Sequence, residues 1–148
     1  MRDSSPILDS LERLAVASVG LTASALAETR EAQDLTLSQW RAIVVLAGDD
    51  DQRVSDLADR LGISLPSASR LMRRLERRGL VSAERDETDR RATLLRLTVR
   101  GRAAHDAVVA TRRRRMRAAL NARRDPLPDE PAAALHALGE ALSADRDG

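Results

Sequence analysis

Between residues 64 and 77 the chain places Arg70, Arg73, Arg74 and Arg77 behind a small polar cluster of Ser64, Pro66, Ser67 and Ser69. A second group, Asp89, Arg90 and Arg91, follows within the next turn of chain. A guanidinium keeps its charge and offers a planar fork of donors that fits phosphate oxygens or the O6/N7 edge of guanine. Serine hydroxyls add short contacts to bases or phosphates. This is chemistry for holding a polyanion, not for breaking bonds. The chain has no nucleophile elbow, P-loop, glycine fingerprint or His–carboxylate cluster, so no enzymatic activity is expected. His105 and His136 lie far apart and there is no cysteine, so no metal site, cofactor or thiol chemistry is expected.

Such residues need rigid carriers, and the flanking pattern supplies them. Ser55 is a good N-cap ahead of Leu57, Ala58 and Leu61 at helical spacing, and Gly62 stands where a left-handed residue ends a helix. Ser64 can cap a second helix that tolerates Pro66 in its first turn, with Ala68, Leu71, Met72 and Leu75 as its buried stripe and Gly79 as its stop. Leu80 to Arg85 and Ala92 to Thr98 read as two strands, with Leu95 and Leu97 on one face and Arg96 on the other. Two short helices around a glycine turn form a helix-turn-helix, and a basic hairpin behind them makes a wing. This combination implies a grip on double-stranded DNA, with a helix for the major groove and a loop for the neighbouring backbone or minor groove.

Longer helices are expected on either side. Residues 4–33 carry Ile7, Leu11, Leu14, Leu21 and Ala25 at helical spacing. A continuous helix of that length would span ~45 Å, with Gly20 as a place to bend. Residues 37–47 form an apolar helix around Trp40, the only aromatic residue, and residues 48–52 read as a polar loop. Thr98 can cap a helix to about Arg124 with Ala103, Ala107, Val108, Ala110, Met116 and Leu120 as its apolar positions. Residues 125–131 read as a break, and Ala132 to Leu142 as a last helix with Leu135, Leu138 and Leu142 on one side. The expected fold is mainly α with a small β-wing: a winged helix-turn-helix core at 35–98, between a dimerisation helix at 1–34 and further dimerisation helices at 99–148. Outer helices of this length find too little partner surface in one chain of 148 residues, which points to a homodimer.

The net charge of +2 conceals strong segregation. Residues 64–101 carry net +5 and residues 102–124 net +7, whereas 1–35 and 125–148 are net −3 and −5. All 25 basic residues are arginine. The positive charge therefore falls on the second helix, the wing and the helix behind it, where a surface facing phosphates needs it. Arg112 to Arg115 cannot share one helix face, and they read as a solvated run partly paired with acidic residues of the terminal helices. No apolar run approaches membrane-spanning length and the N-terminus lacks the apolar core of a signal peptide, so no membrane partner and a cytoplasmic location are expected.

The segments SQWRAIVVL (38–46), VSDLADRLGIS (54–64), SRLMRRLERRGLV (69–81) and DRRATLLRLTVRG (89–101) resemble the MarR family (multiple antibiotic resistance regulator type). The last matches the family's D-x-R wing followed by L-T-x-x-G at Asp89, Arg91, Leu97, Thr98 and Gly101, and Arg73 stands where an acidic residue is common. The resemblance implies a homodimeric transcriptional regulator, usually a repressor, and often one released from DNA by a small aromatic or anionic effector. On this reading Arg91 enters or borders the minor groove and Asp89 holds it. Arg70 is the leading base reader, and Arg77 and Arg78 contact phosphate or form surface ion pairs. Pro66 either meets a thymine methyl or only starts its helix. Trp40 is either core or, with Arg41, part of an effector pocket. A winged module used for protein contact or nonspecific DNA packaging is the rival class.

Overall fold

The computed structural model describes residues 6–49, 51–85, 93–123 and 131–144. It opens with α1, Pro6–Glu28, which runs unbroken through Gly20, then a single 3-10 turn at Arg30–Ala32. The expected helix to residue 33 therefore ends early. Thr29 leaves helical geometry at φ −90°, ψ 114°, and its hydroxyl donates to Ala25 O at 2.7 Å. The turn then folds back so that Ala32 and Leu35 enter the core. Helix α2, Leu37–Gly48, starts with a capping box: Gln39 N donates to Thr36 Oγ1 at 3.2 Å and Thr36 N donates to Gln39 Oε1 at 2.9 Å.

Two expectations fail at the next junction. Gln52–Arg53, read as the end of a loop and the residue after it, form a two-residue strand β1. Helix α3, Val54–Leu61, starts directly from it, so Arg53 and not Ser55 holds the N-cap position, without a side-chain cap. The cause is long-range: Gln52 and Arg53 pair with Leu95 and Leu94 of β3 (Thr93–Leu97), which holds them extended up to the helix start.

The helix-turn-helix follows the sequence pattern closely. Gly62 is left-handed at φ +66°, and Gly62 N and Ile63 N donate to Asp59 O and Ala58 O, both at 3.0 Å. Helix α4, Leu65–Arg77, buries Ala68, Leu71, Met72 and Leu75. Gly79 repeats the terminator at φ +67°, and Leu80 N donates back to Leu75 O at 3.0 Å. Strand β2, Val81–Arg85, then pairs antiparallel with β3 in the register Val81↔Leu97 to Arg85↔Thr93, giving the sheet order β1-β3-β2. Leu95 is buried and Leu97 half-buried on one face, while Arg96 is exposed on the other.

Thr98 caps α5, Val99–Asn121, by accepting from Gly101 N at 3.0 Å, and its own hydroxyl donates to Gly79 O at 2.7 Å. One residue thus starts α5 and ties it to the end of α4. The buried face of α5 is Gly101, Ala104, Val108 and Thr111. Of the expected apolar positions only Val108 is buried. Ala107 is half-buried, and Ala103, Ala110, Met116 and Leu120 are exposed. Small residues face inward because the helix crosses the core at close range: a Cβ on Gly101 would lie 2.0 Å from Leu80 O. Helix α1 packs on α5, and α2 meets both α5 and β3. The fully buried Ile43, Leu46, Leu57, Leu75, Leu80, Leu95 and Val108 join these elements into one core.

The outer helices leave apolar surface uncovered. Leu8, Leu14, Val16 and Val19 of α1 are more than half exposed, as are Leu120 of α5 and Leu135 of the last helix α6, Pro131–Ala144. Among the described residues, no helix is long and apolar enough to cross a membrane. The expected break at 125–131 falls outside the described residues apart from Pro131, which begins α6.

Candidate nucleic-acid interface

Helix α4 has two opposite characters. Its inner face is the apolar stripe described above, and its outer face presents Ser64, Pro66, Arg70, Arg73, Arg74 and Arg77 exposed, with Ser67 and Ser69 half-buried between them. The inner stripe anchors the helix, so the outer residues hold fixed positions relative to one another. Arg70, Arg73, Arg74 and Arg77 line, with Glu76, an open depression of about 670 Å3. Four guanidinium groups against one carboxylate make this a locally cationic surface suited to a polyanion.

The serines are linked to an arginine. Ser64 Oγ donates to Ser67 Oγ at 3.0 Å, and Arg70 Nη2 donates to the same Ser67 Oγ at 2.9 Å. Ser64 therefore has the extended backbone of an N-cap, but its hydroxyl makes no cap and turns along the exposed face instead. Ser67 carries no backbone cap bond either, and it steadies the guanidinium one turn further on. Arg73 Nε donates to Ser69 O at 3.4 Å, along the same face. Leu65, 52% exposed in the first turn, is an apolar member of this surface that the pattern reading left out. It sits beyond the edge of the core at the helix start, and such exposure is a tertiary property.

The second basic group, Asp89, Arg90 and Arg91, lies outside the described residues. The strands leading to it are braced by Arg96, whose Nε donates to Asp51 Oδ1 and whose Nη1 donates to Glu84 Oε2 at 3.3 Å. Arg78 corrects an expectation. It does not present itself as a phosphate contact or a surface ion pair; its guanidinium donates to the main-chain carbonyls of Asp34, at 2.8 Å, and Gln33.

Trp40 and Arg41 lie elsewhere. The Trp40 indole is 3% exposed and stacks on His105 of α5. This is the core role of the two that the residue type allowed. Arg41 is exposed, and its Nη2 donates to Leu61 O at 3.3 Å, across to the end of α3. A separate groove of about 220 Å3 lies near the junction of α1 and α2, lined by Ala23, Leu26, Ala27, Asp34, Leu35 and Leu37. Of the Arg112–Arg115 run, Arg115 pairs with Glu28 of α1, as the charge pattern suggested. The Glu28 carboxyl is held below its ordinary value by the hydrogen bond from Arg115, against a smaller opposing effect of desolvation. No group of acidic, histidine or cysteine side chains suited to a metal occurs among the described residues.

A helix-turn-helix with a three-stranded wing, carrying an arginine-rich outer face on its second helix, defines a winged-helix fold with a surface suited to a polyanion. Residues 33–92 match the MarR family. The homoprotocatechuate degradative operon repressor of Escherichia coli is 36% identical over 73 residues, covering 49% of each chain. The match thus spans about half the length of that curated relative. Solved structures align over nearly the whole chain. RV1404 from Mycobacterium tuberculosis superposes with a TM-score of 0.83 at 26% identity over 95% of both chains. FabT of Streptococcus pneumoniae, solved in complex with DNA, gives 0.75 at 20% identity over 95% of both chains, a likeness of fold. NadR, solved with 4-hydroxyphenylacetate, gives 0.72 at 25% identity over 97% of this chain and 96% of its own. Over residues 33–92 the chain is thus similar to the MarR family, and over nearly its whole length it shares the winged-helix fold of these solved structures.

Proposed function

We propose that this protein represses transcription by binding a pseudo-palindromic DNA operator as a homodimer, with one α4 helix in each of two successive major grooves. The observation that carries this reading is the outer face of α4, where Ser67 and four arginines lie on a helix fixed by a buried stripe. In this assignment Arg70 reads a base, because it sits nearest the helix start and is held by Ser67. Arg73, Arg74 and Arg77 run along the groove wall toward phosphates. Ser64, Pro66 and Ser69 complete the contact at the N-terminal end, and Leu65 can meet a thymine methyl beside Pro66. Asp89, Arg90 and Arg91 form the wing contact, with Arg91 toward the minor groove.

The dimer is supported by the apolar surface left open on α1, α5 and α6, which a second copy would cover. Residues 1–34 and 99–148 then act as the dimerisation arms around a winged core at 35–98. A DNA-bound structure of the same fold and a curated relative named as an operon repressor support the same reading. Its place of action is the cytoplasm, where the DNA is.

Release by a small aromatic or anionic effector belongs to the same proposal. The groove beside Leu26, Leu35 and Leu37 lies where the arm meets the winged core, and a relative of the same fold was solved with an aromatic acid. An effector there acts only if it binds one separation of the two α4 helices better than the other. Footprinting on the DNA flanking the protein's own gene, with unrelated duplex as competitor, tests the core of the proposal. Protection of two half-sites about 10 base pairs apart is expected. Equal displacement by any duplex would favour nonspecific packaging instead.

A further inference from the structure

Arg78 directly follows α4, as the residue at its C-cap. Its fork spans 44 and 45 residues of sequence to reach two consecutive main-chain carbonyls, donating from Nη1 to Asp34 O at 2.8 Å and from Nη2 to Gln33 O. Those carbonyls belong to the only segment that joins α1 and its 3-10 turn to α2. The segment is itself anchored: Asp34 turns the chain in the left-handed region at φ +66°, which aspartate adopts more readily than most residues with a Cβ, and Ala32 and Leu35 on either side are buried. One guanidinium therefore bonds the end of α4 to the segment that links α1 to α2. The acceptors are backbone atoms, so the contact fixes where the chain runs and not merely where a side chain points. A lysine could not reproduce it, because an ammonium lacks the planar fork.

We propose that Arg78 is a positioning residue that sets the angle between α4 and the arm, and through the dimer the half-site spacing at which the protein binds. This rests on the operator-binding reading given above. Arg78 touches no base in this scheme. It acts by making one separation of the two α4 helices lower in free energy than its neighbours, and a spacing preference is the direct readout of that difference.

The test measures affinity for a set of duplexes whose half-site centres lie about 8 to about 13 base pairs apart, and for an isolated half-site. Wild type, Arg78→Ala, Arg78→Lys and Arg77→Ala are compared at several salt concentrations. Wild type is expected to favour one spacing. Both Arg78 variants should flatten that preference by about fivefold or more, with unchanged affinity and salt slope on the isolated half-site. Arg77→Ala should instead weaken every duplex alike and reduce the salt slope by about one. Amide exchange at residues 33–36 should rise in Arg78→Lys, which keeps the charge and loses the fork. The proposal is overturned if Arg78→Lys behaves as wild type, or if Arg78→Ala lowers affinity evenly across spacings with a smaller salt slope, as a phosphate contact would. A wild-type chain indifferent to spacing and sequence would overturn the operator reading as well, whereas a spacing preference untouched by either Arg78 variant would overturn this inference alone.

Discussion

The Trp40 indole and the His105 imidazole stack with their centroids 5.6 Å apart and their planes 15° from parallel. Trp40 belongs to α2 and His105 to α5, so the contact ties these two helices together. His105 Nδ1 also lies 2.9 Å from Asp106 Oδ1, which orients the ring. Replacing His105 with Ala should cost about 0.5–1.5 kcal/mol, the usual scale of an aromatic pair beyond its buried area. Chemical denaturation followed by tryptophan emission measures this cleanly, because the chain has no tyrosine or phenylalanine. An unchanged midpoint together with an unchanged emission spectrum would show that the stack contributes nothing.

Arg70→Ala should cost about 1–3 kcal/mol in operator affinity and relax preference at particular base positions. Ser67→Ala leaves the guanidinium in place but removes its 2.9 Å anchor. It should loosen the same positions by a smaller amount, about 0.5–1.5 kcal/mol. A panel of single-base operator variants separates these outcomes. An equal loss on every variant would make Arg70 a phosphate contact.

Gly101→Ala should destabilise the fold. The new methyl would sit 2.0 Å from Leu80 O and 3.3 Å from Leu97 Cδ2, and Leu80 is backbone at the start of the wing. Overpacking of this kind costs about 1–3 kcal/mol when the neighbours can shift. Thermal unfolding checks it, and a melting temperature equal to wild type would show that α5 moves away without resistance.

Glu28 and Arg115 join α1 to α5 at the surface. Because the folded carboxyl is held below its ordinary value, chiefly by the Arg115 hydrogen bond, its contribution is complete above the ordinary carboxylate range. It fades as the pH falls through the lowered value. The gap in melting temperature between wild type and Glu28→Gln should therefore be present at neutral pH, small because both groups are exposed, and should close in acid. A gap that persists unchanged at acid pH would assign the effect to packing.

The helix-turn-helix could be read from sequence because its determinants are local. Gly62 and Gly79 end their helices through a left-handed conformation set by one residue. The stripe Ala68, Leu71, Met72 and Leu75 is a matter of helical period alone, and its period leaves the arginines outside. The reading failed where the partner was remote. A strand of two residues at Gln52–Arg53 has no periodicity to detect and exists because β3 lies beside it. The inner face of α5 was misplaced because hydrophobicity ranks Met116 and Leu120 above Gly101 and Thr111, whereas α5 meets the wing at a distance only small residues allow.

Arg78 shows the division most plainly. Composition and position marked it as one more cation in a basic stretch, equivalent to Arg77 beside it. Which of the two faces outward follows from the 100° step between adjacent helical residues, but where the inner one lands depends on how the chain returns to the end of α4. Local spacing thus decided the two helices of the helix-turn-helix, their stops at Gly62 and Gly79 and the charged face that proposes a DNA surface. Only tertiary packing brought Gln33 and Asp34 within reach of Arg78, because contacts between distant segments are set by the closure of the core and not by the order of neighbouring residues.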